Sequence, residues 1–201
     1  MTTQTPEQFA AAFERVVSRG GFYRAFKAEM QAAALEAEAR AKSNATERPR
    51  SRTGALRGSI AGVVREGQGY MDMAVGSGSD PSRPGVPYAL MQEEGGVQRP
   101  RNAKMLRIPL SAAKTAAGVD RYPTPLRVSA PDKFFLMRAK DGDLFLVDRV
   151  TEVPWYKLVY SSTIPGSHFL YRAFDATTGE LDGRLAGLLE GVFAEAEAEV
   201  S

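Results

Sequence analysis

One stretch of this chain constrains its fold more than any other, because a helix, a turn, a basic loop and a buried strand follow one another within it. The stretch spans residues 88–110 and reads YALMQEEGGVQRPRNAKMLRIPL. Its first part predicts a short helix that ends at Gly95-Gly96, since glycine readily adopts the positive φ that closes helices. Alternation over residues 105–108 predicts a strand. This order places the cations of residues 99–107 beside a core strand.

The rest of the chain predicts helices at both ends and strands between them. Apolar residues three or four apart indicate helices, alternating ones indicate strands, and Asp141-Gly142 is a strong hairpin turn. Helices are predicted over residues 7–19, 22–42, 88–92 and 167–200, and strands over residues 59–66, 70–77, 105–108, 134–138, 144–149 and 153–161. The predicted fold class is α+β, with one antiparallel β-sheet packed against long N-terminal and C-terminal helices.

Composition limits the architecture and the chemistry. The 201 residues, of which 43% are hydrophobic, suffice for one core, so we expect a single domain, 1–201, with an N-terminal helical segment over residues 6–43. With no cysteine and one histidine, neither a disulfide framework nor a thiolate or histidine-rich metal site can form, and we expect no cofactor. The N-terminus lacks a leader pattern and no apolar run approaches the roughly 20 residues that cross a bilayer, so we expect a soluble chain made in the cytoplasm.

Charge is distributed unevenly although the formal net charge is only +2. Residues 48–107 hold ten Lys and Arg against five Asp and Glu, whereas residues 175–201 hold seven acids against Arg184 alone. The cations of residues 48–57 and 99–107 are of the type that contacts DNA phosphates without reading bases, and the alternatives are a solvated surface or pairing with the acids of a neighbouring chain. These candidate contact residues are Arg48, Arg50, Arg52, Arg57, Arg99, Arg101, Lys104 and Arg107.

Three short segments carry recognisable motifs. The central stretch combines tyrosine-alanine, a glycine pair, a basic loop with proline and Leu-Arg-Ile-Pro, and residues 52–60 read RTGALRGSI. Residues 164–174 read IPGSHFLYRAF. Together these segments resemble, in order, the neck and tail-completion proteins of tailed bacteriophages, whose patterns are S/R-x-G-x-L-R-x-S-I and I-P-A-R-P-F-L-x-x-A. The chain departs from that family at Ser167-His168, where Arg-Pro is commoner, and in an insertion over residues 111–160.

The resemblance implies a virion structural protein rather than an enzyme. Proteins of this kind form a ring, hexameric or dodecameric, at the head–tail junction and join the tail to the head around the DNA path. The implied partners are further copies of this chain, other neck, portal-side and tail proteins, and genomic DNA through non-specific contacts. In such a ring we expect the candidate cations to face either the axial DNA channel or the acids of an adjacent copy. The implied location is the virion, after assembly in the host cytoplasm, with no membrane partner.

Two other classes of function compete with a ring protein. The first is a basic accessory protein that binds DNA without reading its sequence, and the second is a hydrolase. A hydrolase needs a nucleophile with a base, paired carboxylates or a metal. Ser167 and His168 are only neighbours in sequence, and adjacent Glu93 and Glu94 point in different directions around a helix. We therefore expect no catalytic residues, interpret His168 as a capping or packing residue, and interpret both glutamates as solvent or intersubunit charges.

Two expectations concern the sheet. The hairpin over residues 134–149 lies inside the insertion, so it is either an added docking element or an ordinary pair of core strands. Ile60 and Ile108 are each predicted at a strand end of one sheet. If they share that sheet, the two basic segments emerge at the same sheet end.

Overall fold

The protein is described by a computed structural model over residues 5–47, 54–122 and 132–200. The helices are α1 (Pro6–Ser18), α2 (Gly21–Glu47), α3 (Ala55–Ser59), α4 (Ala89–Glu94) and α5 (Phe169–Val200), with a short 3-10 helix at Ser111–Ala113. The strands are β1 (Ile60–Gly67), β2 (Tyr70–Ser77), β3 (Gly95–Gln98), β4 (Leu106–Pro109), β5 (Phe134–Arg138), β6 (Leu144–Asp148), β7 (Pro154–Val159) and β8 (Ser162–Pro165). The predicted α+β class is confirmed.

The long helices form where the sequence predicts them. Thr5 caps α1 in a capping box, because its side chain accepts from the Gln8 N–H while the Gln8 side chain accepts from the Thr5 N–H. Helix α2 continues to Glu47, beyond the predicted end near residue 42. The reason is burial: Ala41 and Ala45 are fully buried, so tertiary packing extends the helix through residues that resemble a loop.

The chain divides into two compact units. The first comprises Met1–Gly95 and Pro165–Ser201, and the second comprises Gly96–Ile164. The sequence predicts one domain with an insertion over residues 111–160, and the second unit contains that whole insertion. Because the second unit also includes β4 and most of β3 and β8, it begins and ends outside the predicted insertion.

In the first unit, α1, α2 and α5 pack together and the hairpin of β1 and β2 packs on α2. The hairpin is antiparallel, with a register that runs from Ile60 opposite Ser77 to Gly67 opposite Tyr70. Met71 and Met73 of β2 are partly buried and pack against the cluster that contains Met30 of α2. A second cluster joins α1 to the C-terminal half of α5, where Val16 and Val192 are buried. The apolar stripe predicted for the last helix is therefore the face that α5 buries.

In the second unit, four strands form an antiparallel sheet in the order β4-β7-β6-β5, while β3 pairs with β8. The hairpin turn at Asp141-Gly142 is confirmed, with Gly142 at φ 90°. The core of this unit is aromatic, because Phe134 lies 5.5 Å from Trp155 and 5.7 Å from Tyr156 between ring centroids. A small sheet can use such rings to bury much area with few residues.

The prediction of one antiparallel sheet is wrong. Strands β1 and β2 form a sheet of their own, so Ile60 and Ile108 lie in different sheets and the argument that placed both basic segments at one sheet end fails. The predicted hairpin over residues 134–149 supplies β5 and β6, and β6 lies between β5 and β7. It therefore supplies an interior strand, β6, and an edge strand, β5, which favours the alternative of ordinary sheet strands over an added docking element. Alternation reveals that a segment is a strand, but not which strand it pairs with.

Candidate functional site

The start of α5 is built against the end of α4. The N–H groups of Ser167 and His168 donate to the carbonyl oxygens of Gln92 and Glu93 at 2.9 and 3.0 Å, and the Ser167 hydroxyl donates to the same Gln92 oxygen at 2.6 Å. A Cβ at Gly166 would lie 2.7 Å from the backbone of Glu94, so only glycine fits there. These residues, 92–94 and 165–171, form what we call the α4–α5 junction.

Glu93 caps the long C-terminal helix from a distance in sequence. Its two carboxylate oxygens accept hydrogen bonds from the N–H groups of Leu170 and Tyr171, both at 2.9 Å. These donors lie in the first turn of α5, where N–H groups lack helical partners and a negative charge is favourable. The prediction that Glu93 is a solvent or intersubunit charge is therefore wrong, whereas Glu94 is exposed. The sequence does hold one signal for a distant cap. His168 stands at the position before the helix and has no side-chain oxygen, so the first N–H groups of α5 need an acceptor from elsewhere in the chain.

The three segments that carry the family resemblance meet in one core cluster. Leu56 and Ile60 come from the first segment, Ala89 from the second, and Phe169 and Ala173 from the third. Phe169 is fully buried, and its carbonyl oxygen accepts a hydrogen bond from the Asn44 side chain of α2 at 3.1 Å. Residues more than 100 positions apart in sequence thus form a single packed site beside the α4–α5 junction.

The departure from the family pattern coincides with an unusual backbone. His168 is exposed and has φ 50°, a conformation that proline cannot adopt because its ring fixes φ near −65°. Ser167 directs its hydroxyl hydrogen at the Gln92 carbonyl, not at an imidazole. The backbone of this pair therefore shapes the start of α5, and the pair is not arranged as a nucleophile and base. The interpretation of His168 as a capping or packing residue is wrong for its side chain, because the imidazole is exposed and Glu93 caps the helix.

The predicted cationic residues fall into three groups. Arg48, Arg50 and Arg52 lie outside the described residues. Arg57 is exposed on α3, in the first unit. Arg99, Arg101 and Lys104 are exposed on the loop between β3 and β4, residues 99–105, which we call the basic loop, and Arg107 lies just beyond it on β4.

Arg107 differs from the cations of the basic loop because its side chain contacts residues in the core of the second unit. Its guanidinium donates to the Asp120 carboxylate at 3.3 Å and to the Tyr122 carbonyl, and it lies 4.6 Å from the centre of the Tyr156 ring. The Tyr156 hydroxyl donates to Asp120 at 2.8 Å. Burial, together with this hydrogen bond, raises the pKa of Tyr156 well above its usual range. Arg107 is thus a structural residue at the base of the basic loop.

Several acids of the C-terminal segment, which are the candidate partners for the cations of an adjacent copy, are paired within their own chain. Glu180 contacts Arg40 at 2.7 Å, and Glu199 contacts Arg19 at 2.6 Å. Glu195 also pairs with Arg19, at 3.4 Å. These pairs tie α5 to α2 and to the end of α1. They leave fewer carboxylates of the C-terminal helix for the arginines of another copy.

Within residues 5–47, 54–122 and 132–200 there is no group of three or more His, Cys, Asp or Glu side chains placed to hold a metal ion. No helix in the same ranges is both long and apolar enough to cross a membrane. The basic loop borders a surface cavity of about 600 Å³, whose lining includes Arg101, Asn102 and Arg107. Comparison of the chain with models of known protein families, with curated proteins and with solved structures gives no match.

Proposed function

We propose that this chain is a structural protein of a tailed-phage virion, a neck or tail-completion protein that forms a ring at the head–tail junction and joins the tail to the head around the DNA path. One observation carries the proposal. Residues from each of the three segments that resemble this protein family, among them Leu56, Ala89 and Phe169, pack into one cluster although they lie far apart in the sequence. Motifs whose residues contact one another in the folded chain indicate the family more specifically than the same motifs read separately along the sequence.

The exposed surface beside this cluster carries apolar side chains that neighbouring proteins in an assembly could cover. Leu90 of α4 is 66% exposed and Tyr171 of α5 is 65% exposed, and Glu93 links the two helices by capping α5 next to Tyr171. Large apolar side chains that project from rigid helices are typical of protein contact sites. In a closed ring each copy would cover such side chains on the next, and the portal-side and tail proteins would cover others.

The experiment is a nonsense mutation in the gene within its phage. We expect DNA-filled heads and finished tails that fail to join, and we expect the purified chain to restore joining when it is added to both. Electron microscopy of particles that carry a labelled copy should place the label at the junction with rotational symmetry. A single asymmetric copy, or particles that lack the chain, would refute the proposal.

A pair of variants makes this test specific to the α4–α5 junction. Glu93→Ala removes the cap of α5, so we expect it to impair joining, whereas Glu94→Ala removes an exposed carboxylate one residue away and should restore joining like the unaltered chain. Equal activity of both variants would show that the junction is not needed for joining. Salt-sensitive DNA binding by a monomer that is absent from particles would instead support the accessory DNA-binding protein.

A further inference from the structure

The two units carry opposite net charges. The second unit, Gly96–Ile164, contains twelve Lys and Arg against six Asp and Glu, a formal net charge of +6. The remainder of the chain contains fourteen Lys and Arg against eighteen Asp and Glu, a net charge of −4. The small overall charge of +2 conceals this separation. A unit of 69 residues with such an excess of cations attracts polyanions.

Half of the acids in the second unit are neutralised inside it. Asp120 pairs with Arg107, Asp143 pairs with Lys157, and Asp148 pairs with Lys133. By contrast, Arg99, Arg101 and Lys104 form no ion pair with any carboxylate in the parts of the chain that the structure describes. The unbalanced charge of the unit is therefore concentrated, in part, on the basic loop.

The C-terminal end of the basic loop is fixed by the strand that follows it. It leads into β4, which pairs with β7 from Leu106 opposite Val159, and Arg107 anchors the start of that strand to Asp120 and Tyr122. The cavity of about 600 Å³ beside the loop is lined by the donors Arg101, Asn102 and Arg107 together with apolar residues, and none of the described residues that line it is aromatic. Bases of single strands bind by stacking on aromatic rings, so this surface is suited to a duplex backbone.

We propose that the basic loop binds the phosphate backbone of double-stranded DNA without reading its sequence, through Arg99, Arg101 and Lys104. The acids of a neighbouring copy are the weaker alternative, because Glu180, Glu195 and Glu199 already have partners in their own chain. This inference goes beyond the proposed function, since it concerns binding by the single chain and does not require a ring. Failure of either one leaves the other standing.

The test is fluorescence anisotropy of the full chain with a labelled random-sequence DNA duplex of about 20 base pairs, titrated over a series of salt concentrations. We expect the affinity to fall as salt rises and to be equal for duplexes of different sequence. Each phosphate contact contributes about 0.9 to the slope of log K against log salt. The triple variant Arg99→Gln, Arg101→Gln, Lys104→Gln should therefore lose about 2 to 3 of that slope.

The matched control removes three exposed cations at the opposite end of the β4-β7-β6-β5 sheet, Lys114→Gln, Arg121→Gln and Arg149→Gln. It changes the net charge equally, so it should lose much less of the slope. An equal loss in both variants would overturn the assignment to the basic loop, and absence of binding by the unaltered chain at low salt would overturn the proposal. Salt-sensitive self-association without DNA binding would also overturn it, in favour of a neighbouring copy.

Discussion

Gly62 of β1 lies so close to Ala34 of α2 that a Cβ atom at residue 62 would be 1.9 Å from the Ala34 carbonyl oxygen. Neither backbone can move freely, because Ala34 lies within α2 and Gly62 pairs with Val75 across the hairpin. We expect Gly62→Ala to lower the free energy of unfolding by ~1–3 kcal/mol through overpacking. Chemical denaturation followed by circular dichroism measures this change. An unaltered midpoint would argue against the close approach of strand and helix.

The same substitution should have the opposite effect at Gly183 on α5. A Cβ at this residue meets nothing within 4 Å, and glycine inside a helix costs about 1 kcal/mol relative to alanine. We expect Gly183→Ala to raise the free energy of unfolding by ~0.5–1 kcal/mol in the same denaturation experiment. The two variants control for each other, because they share the chemical change and differ only in surroundings. Destabilisation by Gly183→Ala would mean that another group packs against this face of α5.

The cap on α5 should contribute measurably to stability. Glu93→Ala removes both acceptors of the Leu170 and Tyr171 N–H groups, and loss of a helix cap costs ~0.5–2 kcal/mol. Glu94→Ala, at the exposed neighbouring position, should change the unfolding free energy by less than about 0.5 kcal/mol. Hydrogen exchange of the Leu170 and Tyr171 amides gives a local readout, with faster exchange expected only in Glu93→Ala. Equal exchange rates in both variants would contradict the capping role.

Glu38 should make stability depend on pH in the acid range. Burial raises the pKa of its carboxyl, but hydrogen bonds from Lys42, from the Gly62 N–H at 2.9 Å and from Arg83 at 2.7 Å outweigh burial. The pKa of Glu38 is thereby lowered from 4.5 to about 2. Because the folded-state pKa is depressed, the stabilisation is complete above the unfolded-state pKa and is lost as pH falls from about 4.5 towards 2.

Glu38→Gln isolates this contribution, since glutamine resembles the protonated acid. We expect the variant to be less stable by roughly 2 kcal/mol at pH 7, a value that allows for solvent screening, and nearly equal to the unaltered protein at pH 2. Denaturant unfolding of both proteins at several pH values provides the comparison. A stability difference that stays constant between pH 7 and pH 2 would refute the ionised cluster.

Deletion of residues 133–150 should unfold the second unit. The deletion removes β5 and β6, and β6 contributes Val147, which is 2% exposed, to the interior of the sheet. Trp155 is the only tryptophan of the chain and lies in this unit, so its fluorescence reports on the unit directly. We expect the emission of Trp155 in the deletion variant to shift to that of a solvated indole. A native-like emission with a cooperative transition would restore the interpretation as an added docking element.

The sequence by itself determined the elements whose signals are local. Periodic apolar residues predicted α1, α2 and α5, and turn residues predicted both hairpins, because helix periodicity and turn chemistry act over a few residues. The basic loop was also visible in the sequence, since Arg99, Arg101 and Lys104 stand in a segment without an acid. Length errors such as the end of α2 arose where burial of Ala45 outweighed local preference.

Only the tertiary structure decided which distant residues act together. Ile60 and Ile108 each mark a strand, but pairing between strands depends on packing that alternation does not encode. Glu93 and Arg107 looked like surface charges, and each became structural because a partner far along the chain, the first turn of α5 or Asp120, was brought within hydrogen-bond distance. Hydrogen bonds and ion pairs form over a few ångströms whatever the separation in sequence, so their assignment required the folded chain.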